Sequence, residues 1–229
     1  MYKRQHELNN PLQGVLGYVE LILRSSEGQG MRTELRRVLH EADRAAKIVR
    51  NLLVFSGSRG MTKRRRTVER AIAKAVSSRR SAFAKHGIEI VRRQPETPVT
   101  IAGDPLLLQQ AFLNVLINAE HAIVDSGRRG TIEIAIETTA DGASVIARIR
   151  DSGPGIDEEV LPRIFDPFFT TKEVNKGTGL GLTITYGIVQ EHGGSVTAAN
   201  APGGGAVFTI ELPAAPQRAH PARPRRSPC

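Results

Sequence analysis

One cysteine, no tryptophan and 3 tyrosines among 229 residues leave this chain short of several kinds of chemistry. Cys229 is the last residue, so no internal disulfide can form and no cysteine-based zinc site can be assembled. A reducing compartment suits such a chain, and cytoplasmic localisation is the expectation. No apolar run approaches the roughly 18 residues that span a bilayer, and Met1-Tyr2-Lys3-Arg4-Gln5 lacks the apolar stretch of a signal peptide. Gly-x-x-x-x-Gly-Lys-Ser/Thr occurs nowhere, which excludes a P-loop. What is present is ordinary for a folded chain: hydrophobic residues make up 40% and charged residues 24%, and the length suits one or two domains.

The net charge of +9 is segregated rather than spread. Residues 1–61 carry +4, 62–93 carry +9, 94–212 carry −8 and 213–229 carry +4. A nucleic-acid module would be built on Lys63-Arg64-Arg65-Arg66 and Arg79-Arg80. With so few aromatic residues there is no base-stacking motif to accompany them, and nucleic acid is not expected as a partner.

Leu8, Leu12, Val15, Leu16, Val19, Ile22 and Leu23 recur at helical spacing, and Leu35, Val38, Leu39, Ala42, Ala45, Ala46, Val49, Leu52 and Leu53 repeat it after a turn at 25–30. Two helices cannot bury both stripes alone, so a second copy completing a four-helix bundle, a homodimer, is expected. Residues 1–56 are read as this hairpin and 57–66 as a Gly/Ser/basic linker. Beyond it the pattern predicts a helix over 68–85, a strand over 88–92, and a helix over 104–124 with Pro105 in its first turn. An antiparallel hairpin over 131–150, a helix over 182–192 and strands over 195–199 and 205–212 complete an α/β unit spanning 67–212. Residues 213–229, rich in Pro, Ala and Arg, are expected to be a disordered tail.

Four stretches carry chemistry. In His6-Glu7-Leu8-Asn9-Asn10-Pro11, His6 lies away from the apolar stripe. A neutral imidazole is a nucleophile toward phosphorus, and an adjacent carboxylate can orient it or take its proton. A solvated His beside a solvated Glu fits the same residues. Gln110, Asn114, Asn118 and His121 fall on one helix face, opposite Leu108, Phe112, Val115, Leu116, Ala119 and Ile123. Asn is a poor helix former, and its amide oxygen is a hard ligand suited to Mg²⁺; a solvated polar face has the same spacing. Asp151-Ser152-Gly153-Pro154-Gly155-Ile156 follows a strand, where an Asp can accept from an exocyclic amine and glycines admit a flat ring; a simple turn reads alike. Last, Phe165, Phe168 and Phe169, with Phe112 expected beneath, precede Gly177-Thr178-Gly179-Leu180-Gly181, whose glycines lead into a helix and can offer N–H groups to phosphate.

In order and spacing these segments resemble the H, N, G1, F and G2 boxes of the two-component sensor histidine kinases, from about His6 to Leu212. The resemblance implies a dimerisation and phosphotransfer hairpin followed by a Bergerat-fold ATP-binding domain, an α/β sandwich, with ATP and Mg²⁺ as cofactors and a response-regulator receiver domain as partner. It places His6 as phosphoacceptor, Glu7 as general base and Asn10 in dephosphorylation of the partner. Asn118 takes the Mg²⁺-ligand position, with Asn114 and His121 as companions near the phosphates. Asp151 takes the adenine-amine position, with Gly153, Gly155 and Ile156 in the same pocket. Phe169, Thr171, Lys172, Gly177, Thr178, Gly179, Leu180 and Gly181 match the lid and the phosphate-facing turn, the lid being short as in nitrogen-regulator-like kinases. The related ATP hydrolases of the gyrase, MutL and heat-shock chaperone group carry a water-activating glutamate four residues before the Mg²⁺ asparagine; here that position is Asn114. Only five residues precede His6, so the expectation is a catalytic core, either truncated or partnered with a separate sensor that would supply any membrane link.

Overall fold

The computed structural model describes residues 15–22, 35–36, 38–39, 42, 64–95, 99–171 and 179–215. The expected hairpin falls mostly outside them, and so do His6, Glu7 and Asn10. Within it, residues 15–22 are helical, Val19 and Ala42 are buried, and Val15, Leu21, Ile22 and Val38 are exposed in the single chain.

Beyond the hairpin the elements run β1 (Arg64–Thr67), α1 (Val68–Lys85), β2 (Ile88–Arg93), β3 (Thr100–Gly103), α2 (Pro105–Asp125), β4 (Gly130–Thr138), β5 (Ser144–Asp151), a 3₁₀ turn (Leu161–Arg163), α3 (Gly181–Glu191), β6 (Ser195–Asn200) and β7 (Ala206–Pro213). Five strands form one sheet in the order β2-β4-β5-β7-β6, with β2 parallel to β4 and the remaining pairs antiparallel. Period-2 alternation sends Ile132, Ile134 and Ile136 of β4, Val145, Ala147 and Ile149 of β5, and Phe208, Ile210 and Leu212 of β7 to one face. The register sets Ile134 opposite Ile149 and Ile149 opposite Phe208, so the face is a continuous apolar layer. Against it pack Val68, Ile72, Ala75, Val76 and Phe83 of α1 and Leu108, Phe112, Val115, Leu116, Ala119 and Ile123 of α2. Helices on one face of a mainly antiparallel sheet make the two-layer α/β sandwich that was expected.

Local chemistry places α2. Asp104 caps its start, the carboxylate accepting from the Leu106 and Leu107 N–H groups at 2.9 and 3.3 Å, and Pro105 occupies the first turn where no N–H is needed. A buried charge cluster joins α2 to α1. Glu120, 1% exposed, accepts from Arg79 Nε at 2.9 Å and Nη2 at 2.7 Å and lies 3.1 Å from His86 Nδ1.

Two segments differ from expectation. Arg64, Arg65 and Arg66, taken as linker, form β1 and pair antiparallel with β3 in a separate two-stranded sheet. A run of arginines has no alternation to announce a strand, and its partner lies 36 residues away at Thr100–Gly103. At the other end, residues assigned to the disordered tail are held. Pro213 closes β7, Ala214 bridges to Ile101, and the Ala215 N–H donates to the Thr100 carbonyl at 2.7 Å. Among the described residues β3 is thus stitched to both ends of the domain, to β1 and to Ala214–Ala215; the tail after 215 lies outside the described residues.

Gly205 is held by a close approach. Its φ is +83°, and a Cβ built there would stand 1.8 Å from the Asp151 carbonyl oxygen. Gly205→Ala is expected to cost roughly 2–4 kcal/mol from left-handed strain plus overpacking. Urea unfolding of the purified chain checks this.

Candidate functional site

Parity places Asp151. It continues Val145, Ala147 and Ile149 on the inward face of β5 and is 2% exposed. Its Oδ1 accepts from the Gly153 N–H at 2.9 Å and the Ala206 N–H at 3.2 Å. Oδ2 has no hydrogen-bond partner among the described residues, so one oxygen is tied down and the other is left to accept. Burial pushes this carboxyl above its ordinary value of 3.8, against the two backbone N–H bonds that favour the ionised form.

The loop after Asp151 is pinned at two points. Ser152 Oγ accepts from the Thr131 N–H at 2.9 Å. Asn200 of β6 brackets Ile156, its Oδ1 accepting from the Ile156 N–H and its Nδ2 donating to the Ile156 carbonyl, both at 2.7 Å. Sequence reading missed Asn200; an Asn at the end of a strand carries no local signal of a partner 44 residues away.

α2 runs along the site as a ruler. At one end Ala122 meets the Gly153 turn, since a Cβ built on Gly153 would lie 3.0 Å from the Ala122 Cβ. At the other end Asn114 meets the first residue of α3, its Nδ2 donating to the Gly181 carbonyl at 2.9 Å. Two turns separate Asn114 from Ala122, about 12 Å of helix axis. Asn118 and His121 lie between them, both half-buried, and the Asn118 amide has no hydrogen-bond partner among the described residues. Asn114, expected beside Asn118 near the phosphates, is not on a solvated face. It is 9% exposed, and Gln110 Nε2 donates to its Oδ1 at 2.9 Å. α3 covers this residue, a contact that helical spacing within α2 alone does not reveal.

The aromatic loop is partly as expected. Phe112 is fully buried, Phe165 and Phe169 pack against the same core, and the Arg163 guanidinium lies 4.7 Å from the centre of the Phe169 ring. Phe168 instead is exposed, with a φ of +65°. Its N–H donates to the Gly179 carbonyl at 3.1 Å. That bond requires Gly179 (φ +63°), where a Cβ would meet the Phe168 carbonyl carbon at 2.4 Å. Leu180 is buried with Leu107, Ala111, Ile184 and Ile188 between α2 and α3, anchoring the start of α3. Thr171 is exposed. Lys172, Gly177 and Thr178 lie outside the described residues.

The arrangement is a buried acceptor at one end of a polar helix face and, at the other, a glycine-led helix N-terminus of the kind that binds anions. Comparison with known proteins carries this further. Residues 103–216 match the family of histidine kinase-, DNA gyrase B- and HSP90-like ATPases, and residues 5–59 match the His Kinase A (phospho-acceptor) domain. The signal transduction histidine-protein kinase AtoS of Escherichia coli K12 is 35% identical over 212 residues, which is 93% of this chain and 34% of that protein. The sensor histidine kinase ZraS of Salmonella typhimurium is 36% identical over 210 residues, 91% of this chain and 44% of that protein. The chain thus spans less than half the length of these relatives. Among solved structures, the catalytic domain of histidine kinase ThkA is 31% identical with a TM-score of 0.58, covering 67% of this chain and 98% of that domain. Full-length ShkA in complex with AMPPNP is 26% identical with a TM-score of 0.78, covering 95% of this chain and 46% of ShkA. The chain belongs to the two-component sensor histidine kinases and comprises their catalytic core.

Proposed function

We propose that this chain is an autophosphorylating protein histidine kinase that moves the γ-phosphoryl group of ATP to His6 and then to an aspartate on the receiver domain of a response regulator. The observation that carries the reading is the state of Asp151, a buried carboxylate with Oδ1 occupied and Oδ2 available at the end of the α2 face. An adenine amine donating to Oδ2 would sit over the Gly153–Ile156 loop, and the nucleotide would extend along α2 past Asn118 toward Gly181. There the N–H groups at the start of α3 would face phosphate, and the family resemblance assigns phosphate contact to Gly177, Thr178 and Lys172 as well. Phe169, Thr171 and Leu180 frame it, with His121 and Asn114 beside Asn118.

The site fits one Mg²⁺. Asn118 offers a hard amide oxygen that nothing else among the described residues occupies, and no cluster of three His, Cys, Asp or Glu stands there as an alternative among those residues. Asn118 would hold the ion, which when bound offsets charge on the phosphate oxygens and otherwise takes its ligands from phosphate and water. The His6 ring nitrogen attacks the γ-phosphorus in line, the bond to the bridging oxygen breaks, ADP leaves, and Glu7 takes the ring proton. In this reading residues 1–56 carry the acceptor, 67–212 bind ATP, and 57–66 join the two.

The exposed Val15, Leu21, Ile22 and Val38 support a homodimer, since a second copy would cover them. A receiver-domain partner is supported by the solved complex of ThkA with response regulator protein TrrA, 26% identical with a TM-score of 0.63. Asn10 then has its place in removing the phosphoryl group from that partner. Hydrolysis of ATP as the main activity is disfavoured because Asn114 stands where the related hydrolases carry a glutamate, and an amide cannot take a proton from water.

Incubation with γ-labelled ATP is expected to give acid-labile, alkali-stable label on the protein, lost in His6→Gln. Rapid release of free phosphate with no labelled protein would show a hydrolase instead.

A further inference from the structure

The Asn114 amide is spent inside the protein. Oδ1 accepts from Gln110 one turn earlier on α2, and Nδ2 donates to the Gly181 carbonyl, with Thr185 Oγ1 at 3.5 Å. Thr185, fully buried, places its hydroxyl 3.1 Å from the same Gly181 carbonyl and 3.3 Å from the Ala111 carbonyl. Two side chains, those of Asn114 and Thr185, thus converge on the first carbonyl of α3, directly after the glycine turn, with Gln110 behind Asn114. A carbonyl at the start of a helix already accepts from the backbone N–H four residues on, so these side chains add nothing that α3 needs in order to be a helix. What they add is a fixed position for its first turn relative to α2.

We infer that Gln110, Asn114 and Thr185 form a clasp that sets the aim of the α3 N–H groups at the nucleotide's phosphates, with Gln110 and Thr185 as positioning residues that never touch the ligand. The inference rests on the nucleotide reading above and deepens it. Asn114 acts through the Gly181 backbone, and Gln110 holds its amide in the orientation that points Nδ2 at Gly181. The N–H groups of a helix N-terminus are strong anion donors only when several converge on one point, so loosening the first turn weakens phosphate binding. The adenine end, held by Asp151 and the Asn200 bracket, does not depend on the clasp.

That separation supplies the test. Binding of ATP and of AMP, each with Mg²⁺, is measured by calorimetry on the full chain for wild type, Thr185→Val, Thr185→Ser and Gln110→Met. Thr185→Val keeps the shape and loses the hydroxyl; Gln110→Met keeps length and loses the donor on a partly exposed side chain, so it serves if the buried variant does not fold. Loss of one buried hydrogen bond corresponds to about tenfold weaker ATP binding, with AMP within about twofold and Thr185→Ser close to wild type. Autophosphorylation should follow as a raised KM for ATP with kcat little changed. Parallel weakening of ATP and AMP, or ATP binding unaltered in both Thr185→Val and Gln110→Met, overturns the clasp while leaving the nucleotide reading intact. A wild-type chain that binds neither nucleotide removes the reading itself, and the clasp with it.

Discussion

Asp151→Asn is expected to weaken ATP binding about 10–100-fold, the value of one hydrogen bond to a charged group. The substitution is isosteric and keeps an oxygen for the Gly153 and Ala206 N–H groups. It replaces Oδ2 with an NH₂ that faces the adenine amine donor to donor. The fold itself should not suffer. Burial raises the folded-state pKa of Asp151 above 3.8, so the fold prefers the protonated acid. The contribution of this group to stability is therefore complete below the unfolded-state pKa and lost as pH rises through the folded one. At neutral pH the ionised form opposes folding, and a neutral amide relieves that opposition. Thermal melts at pH 7 should place Asp151→Asn at or above wild type, with the difference shrinking as pH falls toward 3.8. Nucleotide affinity moves in the other sense. Protonation removes the acceptor, so wild-type affinity should fall with acidification at pH values above those at which an exposed Asp would titrate, a dependence absent from the Asn variant. Calorimetric titration with ATP at several pH values measures both effects.

Arg79→Ala should destabilise the fold by about 3–5 kcal/mol, the usual consequence of leaving a buried charge without its partner. The geometry makes the two halves of this pair unequal. The Glu120 side chain is 1% exposed, whereas Arg79 is 32% exposed and can turn to water once freed. Removing the carboxylate in Glu120→Ala therefore falls toward the lower end of that range, and removing the guanidinium toward the upper end. His86 retains a contact with Glu120 Oε1 at 3.1 Å, which softens the Arg79 loss. Because the cluster binds α1 to α2 away from Asp151 and Asn200, ATP affinity of whatever fraction remains folded should stay unchanged. Urea unfolding of wild type and the two variants, with the unfolding slopes compared, checks the order.

Much of the fold was legible in local periodicity. The stripe from Leu108 to Ile123 is buried residue for residue, and the α1 range matches the structure at both ends. The inward-facing strand residues also follow from alternation, because period 2 allows no ambiguity once one residue of a strand is assigned to the core. What eluded sequence reading shares one property: the partner is far along the chain. Arg64–Thr67 becomes a strand only against Thr100–Gly103. Asn114 is buried only because α3 lies over it, and Asn200 matters only because it meets Ile156. Phe168 was grouped with its aromatic neighbours, yet its backbone is bent outward by the bond to Gly179.

The candidate site divides along the same line. That Asp151 shares the inward parity of Val145, Ala147 and Ile149, and that Asn114, Asn118 and His121 share one side of a helix, follows from residue spacing, since a strand and a helix each repeat at a fixed angle per residue. Which of these side chains stays available is a matter of packing. Tertiary structure ties one oxygen of Asp151 to Gly153 and Ala206 and leaves the other, occupies the Asn114 amide with Gln110 and Gly181, and leaves that of Asn118 without a partner among the described residues. The contacts that decide between available and occupied, Asp151 with Ala206 and Asn114 with Gly181, join segments tens of residues apart, which no repeat angle within a single element encodes.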